Sequence, residues 1–282
     1  MVTAEQRRQA VTFLRTSRHT SLSRACRLVG IGRSSCGYTS RRTARDAPVR
    51  ERLRVLAGQR PRWGLPRLHW LVQREGLVRN HKRTERLYRE EQLAVPRRRR
   101  RTRATVPRVP AAMPAGPGER WSMDFVHDAL ANGRVFRCLT VVDDFTRECP
   151  RIAVDASLGG TQIAACLERL RMTRAMPTAI VCDNGPEFTS RAMLAWAYAR
   201  GIRLLFIRPG RPVENAFIES FTGKLRDECL NEQWFTSLTD AQRSIERWRR
   251  DYNARRPHSA LGWRTPREFL LRCAAASPSP DP

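Results

Sequence analysis

Residues 178–188 read TAIVCDNGPEF, a short apolar run followed by an aspartate and then a Gly-Pro break. The run predicts a fully buried strand, and Gly185 and Pro186 stop it abruptly. Asp183 is therefore expected at the C-terminal edge of a strand, where ligand sites in α/β sheets form. A carboxylate in that position needs explaining, because the 282-residue chain carries a formal net charge of +26.

That charge points to a polyanionic partner, most simply nucleic acid. The competing partner, an anionic membrane surface, gains no support from the sequence: no apolar run approaches the roughly 18 to 20 residues of a membrane span. The first residues also lack a signal-peptide core, so a cytoplasmic protein is expected. With 41% hydrophobic residues the chain can bury a core, and its length predicts about two domains. The eight cysteines are scattered without C-x-x-C pairs or zinc-site spacing, which reads as reduced, structural use.

The charge is unevenly divided. Residues 1–118 hold 29 basic and 7 acidic side chains, net +22, whereas residues 119–282 hold 24 and 20, net +4. The polyanion is expected on the front part, and the nearly neutral rear can host a site that needs carboxylates. Between them, residues 96–119 are rich in Pro, Ala and Arg without periodicity and read as a basic linker. Its Arg97, Arg98, Arg99, Arg100 and Arg101 are expected to meet phosphate.

Ahead of the linker, Ala25, Leu28 and Val29 lie at helical spacing before a Gly30-Ile31-Gly32 break, and a second short helix begins near Arg33; this is a helix-turn-helix outline. A second follows, with Leu68, Leu71 and Val72 in one helix and Leu87 and Tyr88 in the next. Arg79, Lys82, Arg83 and Arg86 crowd the latter and are taken as DNA contacts. Each hairpin alone would read as readily as a small unit with a solvated face; two basic ones in series favour DNA binding. The expected units are residues 1–50 and 51–95.

Behind the linker, Trp121, Met123 and Phe125 alternate with Ser122, Asp124 and Val126 as in a strand. Residues 136–144 and 151–155 give two more strands, then helices and strands alternate: helix 160–174, strand 178–183, helix 189–200, strand 203–207 and a long helix over 212–230. This pattern predicts an α/β fold, a mixed sheet with helices on its faces, over 120–235. Two further helices are expected within 236–274, and a frayed, disordered tail over 275–282.

Asp124, Asp183 and Glu219 thus come from three separate elements. On the long helix, Ile218, Phe221, Leu225 and Cys229 form the stripe to be buried, while Glu219 lies on a small, polar face with Lys224 and Arg226 near enough to meet phosphate. Carboxylates forced together repel unless divalent cations sit between them. Hard oxygen ligands with room for water and phosphate suit Mg²⁺, and two such ions can support in-line displacement at phosphorus. Asp128, Asp143, Asp144, Asp155, Glu187, Glu214, Asp227 and Glu228 are acidic as well and also read as solvated charges; Asp143 and Asp144 read first as ending a strand and ordering a turn, with bracing of the site as the other role open to them.

Thirty-five residues separate Asp183 from Glu219, and with Asp124 upstream this resembles the DD(35)E signature of retroviral-integrase-like transposases. WSMDFV (121–126), VVDDFTRE (141–148), CDNGPEF (182–188), RPGRPVENAFIESFTGKLRDECLNE (208–232) and DYNARRPHSALGWRTPREF (251–269) resemble the OrfB-type transposases of the insertion-sequence-three family. The front half is similar as well, in SRACRLVGIGRSS (23–35) and from Arg60 to Arg101. The resemblance implies an RNase H-like catalytic core in which Asp124, Asp183 and Glu219 hold two Mg²⁺ ions, with Mn²⁺ able to substitute. Water would first cut at the element's end, and the freed 3′-OH would then attack another strand. It also implies terminal inverted repeats and target DNA as partners, a homo-oligomer on DNA, and an OrfA protein supplied separately or as a frameshift fusion; the Met1 start suggests OrfB alone. Two other readings are a DNA-binding regulator without catalysis, against which the three carboxylates argue, and an RNase H-type nuclease, which would need no paired DNA-reading units.

Overall fold

The computed structural model describes residues 3–38, 41–96, 113–208 and 215–276. At the front, α1 (Ala4–Arg18) opens with a capping box in which the Thr3 hydroxyl accepts from the Gln6 amide and the Gln6 side chain accepts from the Thr3 amide. With α2 (Leu22–Val29) and α3 (Arg33–Gly37) it closes a small core on Val11, Ala25 and Cys26. Gly30, at φ +67°, ends α2 in the left-handed region that glycine enters without steric cost.

A second unit follows, made of α4 (Arg41–Gln59), α5 (Leu65–Arg74) and α6 (His81–Glu90). Val49, Leu53, Leu56, Leu68, Val72 and Leu87 form its core. The expected border at 50/51 falls inside α4, whose Val49 already packs in this second core. Buried Asp46 ties α4 to α6, accepting from Arg83 Nε at 2.8 Å and Arg86 Nη2 at 2.5 Å.

The remainder is a five-stranded sheet in the order β3-β2-β1-β4-β5. It comprises β1 (Arg120–Ala129), β2 (Val135–Asp143), β3 (Arg151–Asp155), β4 (Ala179–Cys182) and β5 (Arg203–Phe206). The first three pair antiparallel as hairpins, while β4 joins β1, and β5 joins β4, in parallel. The mixed sheet expected from the sequence is present, with β1 at the line where pairing changes sense.

Alternation along β1 sends Trp121 and Met123 to one face, where Ile163 and Leu167 of α7 (Gly160–Arg171) and Met193 of α8 (Arg191–Ala199) cover them. Val126 faces the other side, against Ile218, Phe221 and Leu225 of α9 (Ala216–Glu228). That second core continues into α10 (Leu238–Arg255) through Ala241, Ile245, Trp248 and Tyr252, so the expected border at 235/236 cuts across one core. The last helix is α11 (Pro266–Ala276). Among the described residues no helix is long and apolar enough to cross a membrane.

The second helical unit meets the sheet unit through ion pairs. Arg60 holds both oxygens of Asp251 on α10, Arg62 reaches Glu232 at 2.6 Å, and Arg74 reaches Glu268 on α11 at 2.5 Å. The Arg60 pair is bidentate, the geometry that gives an arginine–carboxylate bond its orientation.

Candidate active site

The register of β1 against β4 brings the first two carboxylates together. Trp121 lies opposite Ile180 and Ser122 opposite Val181; continued by two residues, the same offset sets Asp124 against Asp183. The ladder itself ends at Ser122 and Val181, and the charge of Asp183 felt at Asp124 agrees with that continuation. At the edge of β4, Asp183 Oδ1 accepts from the Gly185 amide at 3.0 Å, an Asx turn. A Cβ at position 185 would lie 3.0 Å from that oxygen, which explains a glycine there. Asp124 Oδ1 accepts from the Phe125 amide at 2.8 Å, and the Thr140 hydroxyl donates to the Asp124 carbonyl at 2.9 Å.

The third carboxylate arrives on α9. Ile218, Phe221, Leu225 and Cys229 are buried as their spacing predicts, and Glu219 is left exposed on the first turn. Asn215, just ahead of the helix, donates from Nδ2 to the Met123 carbonyl at 3.4 Å, which fixes this end of α9 beside Asp124. The electrostatics register the convergence: burial, then the charges of Asp183 and Glu219, push the Asp124 carboxyl up to about 6 from 3.8, against the Phe125 amide and the Arg226 guanidinium. Three hard oxygen donors, two of which place their charge on the third, are the donor set a divalent cation relieves. Among the described residues no three His, Cys, Asp or Glu side chains are disposed to hold a metal as they stand. The residues thus fit a cation in chemistry, and exposed Glu219 has the freedom to close on one.

The other acidic residues separate clearly. Asp143 accepts from the amides of Gly118, Phe145 and Thr146 and from Trp121 Nε1. Asp144 accepts from Ser122 Oγ and Arg120 Nε, each at 2.6 Å. Both are buried, so the solvated reading is corrected; Asp143 orders the turn after β2, whereas Asp144 ties that turn to Ser122 and Arg120 of β1. Glu228 grips buried Arg256 through Nε and Nη2 and is likewise no solvated charge. Glu187 pairs with Arg137 at 2.6 Å.

Of the basic residues singled out in the sequence, Arg79 and Lys82 are exposed. Arg83 and Arg86 line the same cavity as Lys82, with their charge already shared with Asp46, and for Arg86 also with Glu90. Arg97 to Arg101, together with Glu214, lie outside the described residues. Arg226 stands within the field of Asp124. Lys224 does not join it: two residues along a helix turn the side chain by about 200°, and Lys224 lines a cavity on the other flank of α9. Sequence reading missed Arg67, Arg147 and Arg256 in that cavity, because they come from three different elements with no common period.

Residues 114–212 and 200–266 match two families, each described as an integrase core domain. Over 270 residues, 96% of this chain, the sequence is 50% identical to an uncharacterized 31.7 kDa protein of insertion element IS407 from Burkholderia multivorans, of which 98% is covered. This chain belongs to the integrase-core transposases of insertion elements. The motifs that resemble the insertion-sequence-three family, OrfB type, have their place there, and the chain is a DNA transposase of the polynucleotidyl transferase class. An uncharacterized 39.2 kDa protein of insertion element IS476 from Xanthomonas euvesicatoria is 46% identical over 94% of this transposase and 77% of its own length. The fold is shared with a chain of the simian T-cell lymphotropic virus intasome, solved in complex with the PP2A regulatory subunit B56γ, at TM-score 0.53 and 15% identity over 82% of this chain and 76% of that one.

Proposed function

We propose that Asp124, Asp183 and Glu219 are the catalytic residues of the transposase and that they hold Mg²⁺, two ions, with Mn²⁺ able to substitute. What supports this reading is the charge of both Asp183 and Glu219 felt at Asp124, together with a β1–β4 register that, continued by two residues, sets Asp124 against Asp183. Bound there, such ions neutralise charge on the attacking and leaving oxygens of an in-line displacement at phosphorus. The chain's own residues do the positioning. The β1–β4 ladder spaces two carboxylates, the Gly185 amide orients Asp183, and Arg226 offers a positive charge to the phosphate. Water is the first nucleophile, cutting at the terminal inverted repeats; the 3′-OH so produced is the second and joins the element to target DNA. No side-chain nucleophile is required.

The helical units at the front, carrying exposed Arg79 and Lys82, bind the terminal repeats, and the basic arm at 97–101 adds phosphate contacts. Two ends must be cut and joined, so at least two copies assemble on DNA, with OrfA as a further partner, separate or fused. Asp124→Asn, Asp183→Asn and Glu219→Gln should each abolish cleavage and joining of terminal-repeat DNA while DNA binding persists, and Asp128→Asn should stay active. Glu228 is unsuitable as a control because it holds buried Arg256. Substantial cleavage by Asp183→Asn, or by the wild type in excess chelator, would refute the assignment.

A further inference from the structure

A cavity of about 550 Å³ lies between the second helical unit and the catalytic sheet. Arg67 enters it from α5, Arg147 from the turn after β2, Lys224 from α9, and Arg256 and His258 from the segment after α10. Only Arg256 is neutralised there, by Glu228. Among the described residues Arg67, Arg147 and Lys224 form no salt bridge, and the nearby acids are engaged elsewhere: Asp144 with Arg120 and Ser122, Asp143 with backbone amides. Lys224 Nζ has only the Ser220 carbonyl and hydroxyl, at 2.8 and 2.7 Å.

Three cations without a salt-bridge partner among the described residues thus share one space, with only the more distant charges of Asp143, Asp144 and Glu228 acting on them. Burial and the charge of Arg256 push Lys224 down to about 8 and Arg67 downward, and burial pushes Arg147 downward against the pull of Asp144 and Asp143. His258 is held neutral by burial and by the same cations. Its Nε2 is buried without a hydrogen-bond partner, on a residue only 7% exposed, and Arg147 Nη1 is also buried and unpartnered. Buried polar atoms are nearly always satisfied in a folded chain, so two such atoms on the wall of a cationic cavity mark a missing acceptor.

We infer that this cavity binds a phosphate group of the DNA strand on which the carboxylates act, an inference that rests on the transposase reading above. A phosphodiester supplies one negative charge and acceptor oxygens for Arg67, Arg147, Lys224 and the imidazole N–H. The space is longer than a single free phosphate needs. It adjoins a second cavity of about 590 Å³, which shares Arg67, Lys224 and Arg256 and adds Asn231 and Arg62, the latter paired with Glu232, together with the acidic Asp227 and Glu228. Trp263 also lines the first cavity and offers a ring face on which a base can stack, while the Phe217 ring lies under the Arg147 guanidinium, 3.9 Å from its centroid. Ser220 and Lys224 line it from α9, the helix that also carries Glu219 and is about 10 Å wide with side chains, so one strand can reach both.

The test uses the full chain and a duplex of the terminal repeat, with affinity read by fluorescence anisotropy across a salt series and stability by thermal melting without DNA. Arg67→Gln combined with Lys224→Gln should reduce the slope of log affinity against log salt by about 2, with a loss on the order of tens of fold at 0.1 M salt. The same variant should melt at or above the wild-type temperature, because it relieves like-charge crowding. A lower melting temperature with an unchanged salt slope would overturn the proposal and make the two cations structural. An unchanged slope accompanied by wild-type stabilisation in inorganic phosphate, at matched ionic strength, would reassign the cavity to a free anion. Competition by poly-glutamate as effective as DNA of equal charge would reassign it to an acidic peptide. Because binding is measured in chelator, failure of the carboxylate assignment would appear only in cleavage assays.

Discussion

Asp124→Asn should make the metal-free protein more stable at neutral pH while removing its activity. Burial and the charges of Asp183 and Glu219 raise the Asp124 carboxyl from 3.8 to about 6. At about 1.4 kcal/mol per unit, holding it ionised in the fold costs up to about 3 kcal/mol. Asp124 is partly open to solvent, which screens the interaction and makes that figure a ceiling. The raised value favours the protonated form in the fold, so the group's contribution is complete below pH 3.8 and is lost as pH rises through 6. Asparagine is neutral throughout and can still accept from the Phe125 amide. Variant and wild type should therefore melt together near pH 4 and diverge by several degrees above pH 6, at roughly 2 to 4 °C per kcal/mol for a chain near this size. Melting curves from pH 4 to 8 in chelator provide the measurement, and added Mg²⁺ at pH 7.5 should stabilise the wild type but not the variant. A gap of equal size at pH 4.5 and 7.5, or a variant less stable at pH 7.5, would refute the electrostatic argument.

Other perturbations test particular contacts. Gly160→Ala places a Cβ 2.6 Å from Ser190 Cβ and 2.9 Å from the Glu187 carbonyl oxygen, so it should destabilise by about 1 to 3 kcal/mol in denaturant melts and disturb the loop behind Asp183. Gly185→Ala presses on the Asp183 carboxylate and should lower cleavage at least tenfold with little change in melting temperature. Asp46→Ala leaves Arg83 and Arg86 without their shared partner; α4 and α6 should loosen, seen as faster hydrogen exchange across 41–90 than in the rest of the chain. High salt should weaken the three bridges between the second helical unit and the sheet unit, so 1 M NaCl should speed proteolytic separation of the two, whereas an apolar interface would tighten.

Much of the sheet unit was legible because its constraints are local. In β1 the apolar Trp121, Met123 and Phe125 alternate with Ser122, Asp124 and Val126, and the stripe of Ile218, Phe221, Leu225 and Cys229 follows from helical spacing alone. The border at residue 50 was misplaced because α4 is dominated by arginines and interrupted by Pro48, which obscures a helix. A signal was nevertheless present: Asp46, Val49, Leu53 and Leu56 are buried at spacings of three and four. The opposite flanks of Lys224 and Arg226 could also have been read from their spacing. The cationic cavity could not, since Arg67, Arg147 and Arg256 meet only after the second helical unit docks, and composition says nothing about that encounter.

The two ways in which the carboxylates are mounted differ in stiffness. Asp124 and Asp183 ride on neighbouring strands, whose separation of about 4.8 Å is set by backbone hydrogen bonds and is nearly the same in every sheet. Glu219 rides on a helix held against that sheet by Ile218, Phe221 and Leu225, so its distance from the pair depends on how much volume those side chains fill. The aperture of the site is therefore a property of the hydrophobic core. On the proposed assignment, exchanging one buried residue for a neighbour in size would open or narrow it without altering any acidic group, and so would change reaction rate and cation preference from within the core.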